Sequence, residues 1–275
     1  MRSAALAVLL AGVCASGAAG ADRISTERVP LRDPAVQVPR LEALGLDVTE
    51  DVGPHAAMVV ASSDAERARL RAAGFSPVTQ IADYGAVLAG RRTARARSAR
   101  IGAAAVSGLP SGRTRYRTPA EVQADLDALV AGHPGLVRKV VLPRRSIDGR
   151  PITGVEIASD VEASGDGRPV YVVMGLHHAR EWPSAEIATE FALDLVAHQT
   201  EPRVAALLAG LRIVVVPVVN PDGYQYSRGS AAGGQLDPVA ALKRRNCRAD
   251  AGDPPGGSCA QRRGVDLNRN YGAYW

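Results

Sequence analysis

Chemistry is most concentrated in the run Gly175-Leu176-His177-His178-Ala179-Arg180-Glu181-Trp182. His178 and Glu181 stand three residues apart in a segment that reads as the turn into a helix, so both side chains can point to one side. An imidazole nitrogen and a carboxylate oxygen are ordinary zinc donors, each about 2 Å from the ion. Two such ligands do not make a catalytic centre, which needs a third protein ligand and a water. By spacing alone the pair is a weak signal: a capping carboxylate beside a surface histidine has the same pattern.

The elements around this run give it a place. Residues 169–174 (PVYVVM) form an apolar, β-branched run, which predicts a strand covered on both faces. The histidines follow at its carboxyl end, where open α/β sheets place their ligands. A helix is expected over 186–196 and a second buried strand over 212–219 (RIVVVPVV). Upstream, Thr118-Pro119 opens a helix with Val122, Leu126, Leu129 and Val130 on one face, and His133-Pro134-Gly135 stops it. Strands over 137–142 and 152–158 are joined by a turn at Asp148-Gly149. Strands alternating with helices argue an α/β fold with a parallel or mixed sheet.

A smaller α+β unit is expected over 22–92. It contains a strand at 55–61, a helix over 65–73 capped by Ser63-Asp64 and ended at Gly74, and a strand over 75–81. Residues 93–115 carry many arginines with Gly, Ser and Pro but no hydrophobic periodicity, which reads as a linker open to trypsin-like cleavage. Residues 1–21 have a positive start, a short apolar run and Ala19-Gly20-Ala21, the pattern of a signal peptide cleaved after Ala21. That run is too short to span a bilayer, and 204–219 is interrupted by Arg212 and Pro217, so export without a membrane anchor is expected. Cys247 and Cys259 then form an even pair suited to a disulfide in an oxidising compartment, worth about 3 kcal/mol for so short a loop.

The composition is that of a globular chain, with 46% hydrophobic and 22% charged residues among 275. Aromatics at 4% leave the core to Ala, Val and Leu. The net charge of +5 comes from arginines spread along the chain, whereas nucleic-acid proteins gather such charge on one face. Nucleic acid is therefore not the expected partner.

His-Ala-Arg-Glu-Trp at a strand end resembles the metal motif of the zinc carboxypeptidases, the funnel-type metallopeptidases that include pancreatic carboxypeptidases A and B. Asn220-Pro221-Asp222-Gly223-Tyr224 and Gly264-Val265-Asp266-Leu267-Asn268-Arg269-Asn270 are similar to two further segments of that family, in the same order. Tyr116, Leu126, His133-Pro134, Ser146 and Asp148-Gly149-Arg150-Pro151 match the start of such a catalytic domain. The resemblance covers 116–275 and implies the N-terminal part of a carboxypeptidase-like mixed central sheet with flanking helices. Residues 22–92 are similar only in kind to the family's propeptides.

The resemblance implies that His178 and Glu181 are zinc ligands, the family's spacing choosing His178 over His177. Arg180, Asn268 and Arg269 would bind the peptide substrate, Asn268 and Arg269 at its terminal carboxylate. Arg244 would stabilise the oxyanion, with Arg245 open as an alternative because Lys243 stands where the family usually has Trp. The implied activity is zinc-dependent removal of C-terminal residues from peptides or proteins with a free C-terminal carboxylate, by a secreted monomer. The family's third ligand, general-base glutamate and specificity pocket would lie beyond Trp275. These residues alone are thus expected to bind zinc weakly and to hydrolyse little. The other reading is a non-catalytic secreted protein that binds peptide C-termini.

Overall fold

The computed structural model describes residues 23–100, 107–163, 165–229, 238–248, 259 and 264–272. The expected signal peptide and its cleavage point lie outside these residues. No helix among them is long and apolar enough to cross a membrane.

The leading unit is a four-stranded antiparallel sheet in the order β2-β3-β1-β4, from β1 (Ser25–Pro30), β2 (Asp47–Val52), β3 (Ala56–Ala61) and β4 (Val78–Ile81). Helices α1 (Pro34–Ala43) and α2 (Asp64–Ala72) belong to the same unit, and Leu41, Leu70 and Phe75 close a core with Val29 and Val59. Ser63 caps α2 by accepting from the Glu66 amide, as its sequence signature predicts. The register of β2 on β3 shifts between Val48 and Val52. Strict alternation would put Asp47 and Glu50 on opposite faces, and the irregularity lets both meet the second unit.

Two expectations change here. The strand expected over 75–81 begins at Val78. The arginine-rich stretch begins inside α3 (Tyr84–Arg100) rather than as an irregular tether. Alanine and arginine are both good helix formers, so a segment without an apolar stripe can still be helical.

The second unit holds α4 (Pro119–Gly132), β5 (Val137–Val141), β6 (Thr153–Ile157), β7 (Val170–Met174), α5 (Trp182–Ala197), α6 (Pro202–Gly210), β8 (Arg212–Val216), α7 (Pro221–Ser227) and α8 (Pro238–Ala241). The strands order as β5-β6-β8-β7, with β7 parallel to β8 and the other pairs antiparallel. This is the mixed sheet expected. Its core joins Val155, Ile157 and Val215 to Leu126 of α4, Ala188 and Leu195 of α5, and Tyr224 of α7.

Strand β7 departs from expectation. Its apolar run predicts cover on both faces, yet Val170 and Tyr171 are each more than half exposed (59% and 56%). Among the described residues β7 pairs only with β8 and forms the sheet's rim. Apolarity on both sides of a strand does not reveal which neighbours flank it.

The segment entering the second unit is fastened by a buried cation. Arg117, fully buried, meets Asp125 at 2.6 Å and Glu190 at 2.7 Å, and also pairs with Glu186. Ser111 donates to Glu190 from both its amide and its hydroxyl. Cys247 and Cys259 are joined as a disulfide, as their count and spacing suggested.

Candidate metal centre

The loop after β7 is fixed from several sides. A side chain at Gly175 would put its Cβ 2.6 Å from the Pro217 carbonyl oxygen and 2.7 Å from that of Ser184, so the chain can turn there only with glycine. Leu176 takes a left-handed conformation (φ 52°), unusual for a branched residue, and its amide donates to Ser184 Oγ at 2.9 Å. The Asn220 side chain caps α7 by accepting from the Gly223 amide and donates to the His177 carbonyl. Gly223 lies under Ala179, where an added Cβ would come within 2.7 Å. Ser227 Oγ donates to the Ala179 carbonyl at 2.6 Å, and the Ala179 amide donates to the Arg244 carbonyl at 2.9 Å. Asp222 ties the same turn to the hairpin by accepting from Ser146, the Asp148 amide and Arg150. The quoted sequence segments thus assemble into one support.

His178 is 1% exposed and sits at the centre of a charged cluster. Its Nε2 lies 3.0 Å from Asp266 Oδ1, and its Nδ1 lies 2.8 Å from Glu181 Oε1. Arg244, also buried, donates from Nε to Asp266 Oδ2 at 2.9 Å and from Nη1 to Glu50. Glu50 belongs to β2 of the leading unit, and its Oε1 lies 3.2 Å from His178 Nδ1. Burial opposes charge on His178, but Asp266 and Glu181 outweigh it and raise its pKa. Burial would likewise raise Asp266 and Glu50. The neighbouring His178 and Arg244 instead hold Asp266 well below the usual carboxylate range, and Arg244 lowers Glu50.

The donor set fits a divalent zinc ion. A carboxylate on one ring nitrogen fixes the orientation of a ligating histidine and leaves the other nitrogen for the metal. Here Asp266 takes Nε2, and Nδ1 faces the carboxylates of Glu181 and Glu50, which lie together with it within 4.8 Å.

The other expected residues are placed as follows. Arg180, largely buried, pairs with Asp47 of the leading unit. Asn268 and Arg269 lie on a 3-10 turn (Leu267–Arg269) capped by Asp266, with the Asn268 amide donating to Asp266 Oδ1 at 3.0 Å. Arg269 is exposed, and its guanidinium donates to the Asn268 carbonyl. His177 turns away from the cluster towards the Tyr271 hydroxyl. Between the two candidate arginines, Arg244 is the one in the cluster. Sequence reasoning missed Asp266, Asp47 and Glu50 as site neighbours. Asp266 sat inside a quoted segment, whereas nothing in the pattern around Glu50 linked it to a histidine 128 positions later.

The zinc carboxypeptidase family profile matches residues 122–275. Carboxypeptidase A2 of Rattus norvegicus is 33% identical over 159 residues, covering 58% of this chain and 33% of the rat protein. A zinc carboxypeptidase of Saccharothrix mutabilis subsp. capreolus is 27% identical over 237 residues, covering 86% of this chain and 49% of that protein. The chain therefore spans between a third and a half of these relatives' length. Among solved structures, carboxypeptidase A from Helicoverpa armigera superimposes with a TM-score of 0.66 at 24% identity, covering 93% of this chain and 59% of that one. Thrombin activatable fibrinolysis inhibitor gives 0.57 at 17% identity over 91% of this chain and 59% of its own. These two likenesses establish a shared fold. With the profile matching more than half of its residues, the chain belongs to the zinc carboxypeptidase family.

Proposed function

We propose that this chain carries the metal-binding and carboxylate-binding half of a secreted zinc metallocarboxypeptidase acting on peptides with a free C-terminus. The observation that carries the reading is the cluster of His178, Glu181, Asp266 and Arg244 at the strand end. His178 and Glu181 would hold zinc, with a water among its remaining ligands. Bound zinc would polarise the scissile carbonyl and lower the pKa of its water. Asp266 keeps the His178 ring oriented and sets the Arg244 guanidinium beside the same point, where it can meet negative charge on a carbonyl oxygen.

Arg180, Asn268 and Arg269 serve as the substrate side. Two of the proposed anion-binding arginines already hold carboxylates: Asp47 on Arg180 and Glu50 on Arg244. A cleft of about 430 Å³ opens beside them, lined by Tyr84, Trp182 and Leu242 among others. The leading unit 22–92, in this reading a propeptide, therefore lies over the surface that a peptide C-terminus would approach. The leader sequence and the Cys247–Cys259 disulfide support secretion.

Zinc titration of the purified chain tests the reading. One equivalent should bind, and His178→Ala should abolish binding; equal binding by both proteins would overturn the metal assignment. Mixing the chain, after trypsin has cut the arginine-rich stretch and released the leading unit, with a peptide carrying a free C-terminus and with its amidated twin tests the substrate class. Preference for the free acid supports it, and equal treatment of both refutes it. Binding without cleavage would favour the non-catalytic reading.

A further inference from the structure

We infer that Glu50, supplied by the leading unit, is a third protein ligand of the metal held by His178 and Glu181. The inference rests on the metal assignment above and adds to it a donor from outside 116–275. Donors about 2 Å from a shared tetrahedral ion sit about 3.3 Å from one another. Glu50 Oε1 is 3.2 Å from His178 Nδ1, Glu181 Oε1 is 2.8 Å from the same nitrogen, and the three donor atoms all lie within 4.8 Å of one another. His178 is buried while Glu50 and Glu181 are about half and two-fifths exposed, which lets an ion enter from the solvent side.

A purely electrostatic role for Glu50 would be served by Arg244 alone. The placement of the same carboxylate oxygen against the metal-facing nitrogen of His178 is the additional feature. It is positioned by the break in the β2–β3 register and by the neighbouring Asp47–Arg180 pair, which clamps the start of β2 onto the loop between the two proposed ligands. Metal binding and docking of the leading unit are then one equilibrium. The ion draws on a residue of each unit, so a metal-loaded chain holds its leading unit more firmly. Conversely, detaching that unit removes a ligand.

Competition with a chromophoric chelator measures zinc affinity in the full chain, Glu50→Gln and His178→Ala. The glutamine keeps the shape and a hydrogen-bonding oxygen but loses the charge and most of the donor strength. Glu50→Gln should weaken zinc by at least tenfold while its circular dichroism matches the parent. Affinity equal to the parent's would overturn the inference and leave the His178 assignment standing. Loss of binding in neither variant would instead sink the metal assignment itself. The visible d–d spectrum of cobalt bound to the parent and to Glu50→Gln gives a second readout independent of affinity. Loss of a carboxylate ligand shifts these bands, and identical spectra would exclude position 50 from the coordination sphere.

Discussion

Asp266 and His178 face each other at 3.0 Å across the strand-end loop, with the Asp266 carboxylate on Nε2 and the ring's Nδ1 turned towards Glu181. The pair fixes which imidazole nitrogen is left for a metal. Replacing Asp266 with Asn should weaken zinc binding about 10- to 100-fold without unfolding the chain. A chelator-competition titration reads this directly; unchanged affinity would show that the ring is held by other means.

The two units are joined by paired charges, and Asp47–Arg180 is the more enclosed of them, its side chains 19% and 12% exposed. A double-mutant cycle with Asp47→Asn and Arg180→Gln should return a coupling of about 0.5–3 kcal/mol in urea unfolding. Additive effects would mean that the contact contributes nothing to holding the units together.

Gly223 sits where a Cβ would press on both Ala179 and its own cap residue, Asn220. Gly223→Ala should cost about 1–3 kcal/mol by overpacking. It should also shift the His178 loop, so zinc affinity falls along with stability. A variant with parental melting and parental zinc binding would contradict the close approach.

Burial, with Arg245 adding to it, pushes the Lys243 ammonium down to about 7. In the unfolded chain it titrates near 10.4. Between those values the unfolded state binds more protons, so this residue makes stability rise with pH from about 7 to about 10; below 7 its charged form opposes folding fully. Lys243→Met should remove that slope and be more stable than the parent at pH 6. Urea unfolding of both proteins at pH 6 and pH 9 decides it, and parallel pH trends would place Lys243 in contact with water.

Helix α4 begins with a capping box in which Thr118 and Glu121 bond reciprocally. The Thr118 amide, and to a lesser degree Arg113, holds the Glu121 carboxyl down to about 2. A depressed carboxyl stabilises the fold above its unfolded pKa, and the contribution is lost as pH falls from about 4.5 towards 2. Glu121→Ala should cost about 1 kcal/mol at pH 7 and much less at pH 2. An equal loss at both values would rule out the reciprocal bond as its source.

The sequence carried a good part of this arrangement. Pro after Thr118, Gly74 after α2 and the β-branched runs of β7 and β8 are local instructions, and each element formed close to where they placed it. Helices α6 and α7 were not read, because the first is short and the second lies within what looked like a turn. His178, Glu181 and Arg244 were identifiable by motif, and the structure brings them to one point. Asp266 was visible as a letter but not as a contact, since its distance to His178 is set by the chain's long return from β8. Glu50 and Asp47 were beyond reach: their effect depends on how two separate sheets meet, which no local periodicity encodes.

The rim strand β7 carries one more consequence. Val170, Tyr171, Val172 and Met174 present greasy side chains next to backbone amides and carbonyls that, among the described residues, bond to β8 on one side only. Such a border invites other strands to zip onto it. Concentrated solutions of this polypeptide should therefore cloud or thicken with time, and the culprit would be the very ribbon that delivers the histidines, not the charged cluster at its tip.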